Sequence, residues 1–277
     1  MPSGKWQLHQ SGLAMLQRCG EQYRRRYVEG ERIPPGVAAV TGTATHRSIA
    51  ANLACKMETG SLAPRDEALC VAADSLTSVW AEGVRWQQED LDAAGASSEK
   101  ELQGRCKDRA VELSGCHYDQ LAGRINPVAV ERQWVVEIPG YAFDLAGTID
   151  IQEANRIRDT KTSAKSLPAS AAEKSDQLTL YALAAKVLDG AIPAELVLDG
   201  LISLKAGPQV QTLVTIRDDA DMRIMLARIE RATETIEKGA FTPANQDSWW
   251  CSERWCGYAP TCPFFRKTRV VVEEKRL

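Results

Sequence analysis

Two short runs in the middle of the chain, Gly147-Thr148-Ile149-Asp150 and Asp159-Thr160-Lys161, bring two carboxylates and an amine within twelve residues of one another. Asp159 and Lys161 are two apart, so on a strand they project from one face, and Asp150 closes the preceding strand of the same expected hairpin. Hydrolysis of a phosphodiester uses such a set. It needs hard oxygen ligands for Mg²⁺ or Mn²⁺ and a cation beside the attacking water or the charged transition state. By itself an Asp-x-Lys on a strand is common and most often structural.

Three further features flank this pair. Upstream, Gly42-Thr43-Ala44-Thr45-His46 puts one of only three histidines at an expected helix start. A lone histidine is more often a structural hydrogen-bonder than a ligand. Downstream, Gln177 and Tyr181 are four apart, on one face of the helix expected after Lys161, where amide and phenol could serve a phosphate backbone or the lysine. At the far end, Cys251-x4-Cys256-x5-Cys262 is interleaved with Trp249, Trp250, Trp255 and Tyr258. Three thiolates leave one position open on a four-ligand site, and Cys19 is available to fill it. Four thiolates suit zinc as well as an iron-sulfur cube. Cys55, Cys70, Cys106 and Cys116 lie in helical-looking stretches and read as ordinary packing or surface residues.

In order and spacing the motifs from Gly42 to Tyr181 resemble those of the RecB-like branch of the PD-(D/E)XK nucleases: Gly-x-x-x-His, Gly-x-x-Asp, Asp-x-Lys and Gln-x-x-x-Tyr. The resemblance runs from about Leu8 to Phe265. It implies that His46, Asp150 and Asp159 ligate Mg²⁺ or Mn²⁺, with the Thr160 carbonyl as a further ligand. Lys161 would orient the nucleophilic water or stabilise transition-state charge, with Gln177 and Tyr181 completing the site. The cysteine arrangement resembles the iron-sulfur staple of AddB-type nucleases and their CRISPR-associated relatives, which implies a [4Fe-4S] cluster on Cys19, Cys251, Cys256 and Cys262. Structural Zn²⁺ is the alternative. The activity implied is a DNA exonuclease in recombination, repair or phage DNA processing. A catalytically silent DNA-binding or assembly subunit, and a redox or regulatory module, are the competing readings.

The elements that must position these groups follow from periodicity. Residues 1–126 read mainly as helices, with Leu13, Leu16, Tyr23 and Tyr27 at helical spacing and helices over 44–59, 65–89 and 98–123. Residues 127–217 read as the catalytic sheet: a hairpin over 128–138 and 141–151, a third strand over 156–161, a helix over 170–189, and a second hairpin over 195–204 and 209–216. A helix over 218–238 precedes the cysteine segment. The expected fold is α/β, a restriction-endonuclease-like core with a mixed central sheet, a helical N-terminal insertion and a cysteine-ligated C-terminal segment, all in one domain.

The 277 residues, 44% hydrophobic and 26% charged, suffice for a substantial core. The net charge of -3 excludes a uniformly basic nucleic-acid binder, but the charge is unevenly spread. Seven Lys or Arg face three acids over residues 1–47, and six face three over residues 248–277. If both ends meet, a basic rim would border an acidic centre. No apolar run suits a bilayer, no secretory signal is evident, and unpaired thiols fit a cytoplasmic protein. No Gly-x-x-x-x-Gly-Lys-Ser/Thr phosphate loop is present, so duplex unwinding would need a partner helicase.

Overall fold

The computed structural model describes residues 5–141 and 143–266. The chain folds as an α/β structure around one six-stranded mixed sheet. Its strands are β1 (Trp6–Leu8), β2 (Ala129–Val136), β3 (Phe143–Glu153), β4 (Arg156–Ser163), β5 (Glu195–Leu204) and β6 (Gly207–Thr215). β2 runs antiparallel along almost the whole of β3. β1 and β4 therefore share the other edge of β3, β1 parallel at Phe143–Leu145 and β4 antiparallel at Ile151–Glu153. β4 then pairs in parallel with β5, and β5 forms a hairpin with β6. β1 escapes the sequence reading because its three residues are too few to display a period.

The helices are α1 (Gln10–Arg18), α2 (Gly20–Tyr23), α3 (Val37–Thr59), α4 (Arg65–Ala81), α5 (Gln88–Ala94), α6 (Glu99–Gln120), α7 (Asp176–Leu188) and α8 (Asp219–Glu237). They cover both sheet faces. On β5, Leu196 and Leu198 join α7 and α8 in one apolar cluster. Leu201, of opposite parity, joins Ile49 and Leu53 of α3 and Leu113 of α6 in another. α3, α4 and α6 pack together through Val40, Ala44, Leu76, Leu102 and Ala110. Cys55, Cys70, Cys106 and Cys116 all fall within these helices, the last two buried.

Several boundaries differ from the sequence expectation, each for a physical reason. α3 begins at Val37, so His46 is its tenth residue and not near its start. The expected 65–89 helix breaks after Ala81, and α5 restarts where Gln87 and Asp90 form a reciprocal capping box. The helix expected from residue 170 begins only at Asp176, where the Ser175 hydroxyl accepts from Leu178 N–H. Upstream, the buried Arg217 guanidinium donates to the carbonyls of Ala172, Glu173 and Ser175, engaging that stretch in turns. The first helical stretch is interrupted at Cys19, whose backbone is extended.

Asp150 does not end its strand but lies within β3, three residues before Glu153. Its local frame depends on Gly147, because a Cβ there would stand 2.7 Å from the indole of Trp134 on β2. The bare backbone lets the buried Trp134 indole pack closely against β3 at Gly147. Gly147→Ala should therefore destabilise the protein by about 1–3 kcal/mol through overpacking, as urea unfolding would measure. An unchanged midpoint would show that Trp134 moves aside freely.

Candidate active site

The β3–β4 ladder stops one step short of the two aspartates. Its last pair is Ile151 with Arg158, so Asp150 and Asp159, next in register, face each other where the strands have parted. In place of a ladder bond, the Thr160 N–H donates to Asp150 Oδ2 at 2.9 Å. β4 is held from its other side by an unbroken parallel ladder to β5 running from Arg156 to Ser163. Asp159 and Lys161 thus stand on one face of a fixed strand, beside an opening in the sheet.

Lys161 is caught between two acceptors. Its Nζ lies 2.9 and 2.8 Å from the Asp159 oxygens and donates to Gln177 Oε1 at 2.8 Å. The Gln177 amide is oriented in turn, since its Nε2 donates to the Tyr181 hydroxyl at 2.6 Å, which donates to the Thr148 carbonyl at 2.6 Å. One turn of α7 supplies both residues. The relay fixes which way the amide points. An ammonium has three N–H groups, so one remains for a ligand in the cleft.

His46 projects from α3 with Nδ1 3.4 Å from Asp150 Oδ2, and it hydrogen-bonds to the backbone of Thr160. A third donor joins them that the sequence reading passed over: Glu131, on β2. Side-chain donor atoms of His46, Glu131 and Asp150 all lie within 4.8 Å of one another. One imidazole nitrogen and two carboxylates suit Mg²⁺ or Mn²⁺, so the residues present fit such an ion. Asp159 is fully buried, engaged by Lys161, and outside that group of three. Glu131 stands opposite Asp150 in the β2–β3 register, between Val130↔Ile151 and Arg132↔Ile149. Counting across the turn at Pro139-Gly140 would have found it. Its φ of 48° is left-handed, an uncommon state for a residue with a Cβ.

The electrostatics of the cleft favour an added cation. Burial, opposed by Lys161 and reinforced by Asp150, pushes Asp159 up to about 6. Burial also raises Asp150, and burial of the Glu131 carboxylate, reinforced by the Asp150 charge, raises Glu131 to about 7. Burial, with the Lys161 charge next, lowers His46 and keeps its imidazole neutral, the form that can ligate. Among the residues lining this cleft of about 650 Å³ are His46, Arg47, Glu131, Asp150, Lys161 and Gln177.

The four cysteines of the sequence reading line one pocket, together with Gln22, Trp250 and Tyr258. Gln22 Nε2 donates to Cys256 Sγ at 3.0 Å and the Ala244 N–H to Cys19 Sγ at 3.3 Å. The buried indole N–H of Trp250 has no hydrogen-bond partner among the described residues. Burial raises Cys251, and Cys256, Cys19 and Cys262 raise it further. Four thiols ringed by N–H donors fit a thiolate-bound metal or cluster, whose sulfur atoms accept such bonds. The N-terminal helices and the segment after α8 meet here. Gly20 N–H donates to the Thr242 carbonyl at 2.7 Å, and Arg25 reaches Tyr258 and Thr261.

The chain belongs to the PD-(D/E)XK nuclease superfamily, whose family model matches residues 7–263. A search of curated proteins finds no match. Among solved structures, the one titled "Crystal structure of SSO0001" is similar at 13% identity with a TM-score of 0.39, covering 74% of this chain and 98% of its own. Among the described residues no helix is long and apolar enough to cross a membrane.

Behind the site, His117 of α6 is buried, with Nε2 unpartnered among the described residues. Burial first, then the charges of Arg158 and His46, lowers its pKa to about 3. Unfolding returns the imidazole to its ordinary value of about 6.5. Between those values the unfolded chain binds the extra proton, so stability present above pH 6.5 is lost as pH falls toward 3. In metal-free protein, His117→Gln should flatten this acid slope by up to about 1.4 kcal/mol per pH unit. Urea midpoints from pH 7.5 to 4 test it, and parallel slopes for the two proteins would refute it.

Proposed function

We propose that the protein is a Mg²⁺- or Mn²⁺-dependent deoxyribonuclease that hydrolyses DNA from an end, and that the cleft at His46, Asp150, Asp159 and Lys161 is its active site. The observation that carries this reading is the convergence, where β3 and β4 part, of a cation-accepting group of side chains with a pre-aimed lysine. His46, Asp150 and the Thr160 carbonyl would hold the ion. Glu131 reaches it by side-chain geometry, and Asp159 reaches it once Lys161 yields one oxygen. When bound, the ion supplies a Lewis acid for the phosphate oxygens and lowers the pKa of water.

The side chains account for the remaining steps. Lys161, held by Asp159 and Gln177, directs its free N–H toward the attacking water or a non-bridging phosphate oxygen as negative charge grows there. Gln177 and Tyr181 prevent the ammonium from collapsing fully onto Asp159. Arg47, exposed beside His46, is placed to meet the phosphate backbone. Attack from an end is the family-like reading. With no phosphate loop in the chain, strand separation would fall to a partner helicase, and unpaired thiols favour an intracellular, cytoplasmic setting in recombination, repair or phage DNA processing.

The decisive experiment is digestion of end-labelled single- and double-stranded DNA in Mg²⁺ and Mn²⁺, with either end blocked. Cleavage that stops when ends are blocked supports the exonuclease, whereas metal-dependent nicking of closed circles would replace it with an endonuclease. Lys161→Ala should lower cleavage by about 10²–10³-fold with DNA binding retained. Equal turnover by the variant would remove the site assignment.

For the cysteines we propose one [4Fe-4S] cluster on Cys19, Cys251, Cys256 and Cys262, with structural Zn²⁺ as the competing occupant. The N–H donors to Cys19 and Cys256 support thiolate ligation, and the split spacing, which resembles the iron-sulfur staple, favours the cluster. Anaerobically purified protein should be brown, and Cys19→Ser should abolish the colour and lower thermal stability, whereas Cys70→Ser should do neither. Stoichiometric zinc without iron would replace the cluster, and unchanged metal content in Cys19→Ser would remove Cys19 from the ligand set.

A further inference from the structure

We propose that Trp249 and Trp255 form a stacking platform for the unpaired bases of a DNA strand whose backbone continues into the cleft at His46 and Asp150; this rests on the nuclease reading above. The two indoles are 64% and 55% exposed, with ring centroids 5.3 Å apart and planes at 88°. Trp249 also meets Trp250 edge-on at 5.6 Å. Two large aromatic side chains grouped in water mark a binding surface more than a packing need.

The chemistry around them suits nucleobases. The Arg254 guanidinium lies 5.2 Å from the Trp255 ring centre, so a cation borders the aromatic faces, as bases joined by phosphates require. Among the described residues of this segment, 248–266, Arg254 and Arg266 face a single acid, Glu253.

Position links the platform to the cleft. The Arg254 carbonyl accepts from Arg85 and the Glu253 carbonyl from Gln87. Arg85 also bridges to Gly36, immediately before α3. Arg254 approaches Glu89 and Asp90 at 3.6 and 3.9 Å. Asp90, with Arg105 and Arg109, lines a groove of about 490 Å³ that shares Ala38 and Thr162 with the catalytic cleft. From the start of α3 to His46 the helix rises about 14 Å, a few nucleotides of extended strand. Asp90, Asp108 and Glu112 offset the arginines in the groove, so phosphate attraction alone holds a strand poorly there. Stacking outside the groove supplies what the groove lacks.

The test uses the full-length protein in an Asp159→Ala background, which prevents digestion, and fluorescence anisotropy with oligothymidylate of about 20 nucleotides and an abasic strand of equal length. Trp249→Ala/Trp255→Ala should weaken oligothymidylate binding about tenfold or more and leave the abasic strand unaffected, and Trp249→Phe/Trp255→Phe should restore most of the loss. Unchanged oligothymidylate affinity overturns the proposal and would leave the indoles to a protein partner. Equal weakening toward both strands overturns it too, because bases would then play no part. Failure of the wild type to cleave DNA would sink the nuclease reading separately, since the base-dependent difference in binding does not depend on turnover.

Discussion

The 2.9 Å hydrogen bond from Thr160 N–H to the Asp150 carboxylate is the constraint on which the site depends. Two strands that part would ordinarily leave backbone donors and acceptors unpaired in a buried place. Here a side chain takes over where the ladder ends, so the opening is held at fixed width. It also commits one oxygen of Asp150, leaving the other for a ligand. Asp159 is then buried opposite a second carboxylate, an arrangement tolerable only with a cation nearby. Lys161 supplies one, and the amide and phenol of α7 keep it from neutralising the pair alone.

The motifs that line the cleft were legible because each is local. Asp159 and Lys161 share a face by strand parity, and Gln177 and Tyr181 share one by helical repeat. The β2–β3 and β5–β6 hairpins were legible from alternation and turn residues. What escaped depended on partners distant in sequence. Glu131 acquires its place only from the register between β2 and β3, and no spacing along one strand reports that. The late start of α7 is governed by Arg217, 41 residues downstream of Asp176 and invisible to any local period. β1 is a strand solely because β3 offers it an edge.

The N-terminal helices and the cysteine segment are joined directly. The N-terminal helices and the segment after α8 are bound to each other by backbone bonds, by Arg25 and by the Gln22 contact to Cys256, so stretches far apart in sequence meet in space. The N-terminal helices share an apolar cluster with α7, α8 and the sheet, whereas α3 and α6 pack on the opposite sheet face. α3 links the two regions: the residue before it pairs with Arg85, and its middle delivers His46.

The joining of these two segments has an implication for biosynthesis. The partners of Gly20 and Gln22 are Thr242 and Cys256, so these contacts of the first helices wait until residues more than two hundred positions later have left the ribosome. At ordinary elongation rates that interval is on the order of 10–50 s. The sheet and its cleft can assemble earlier, from residues already released. The strands around the cleft can thus form while the clasp between the N-terminal helices and the cysteine segment is still open, and a metal centre held by both would be installed after them.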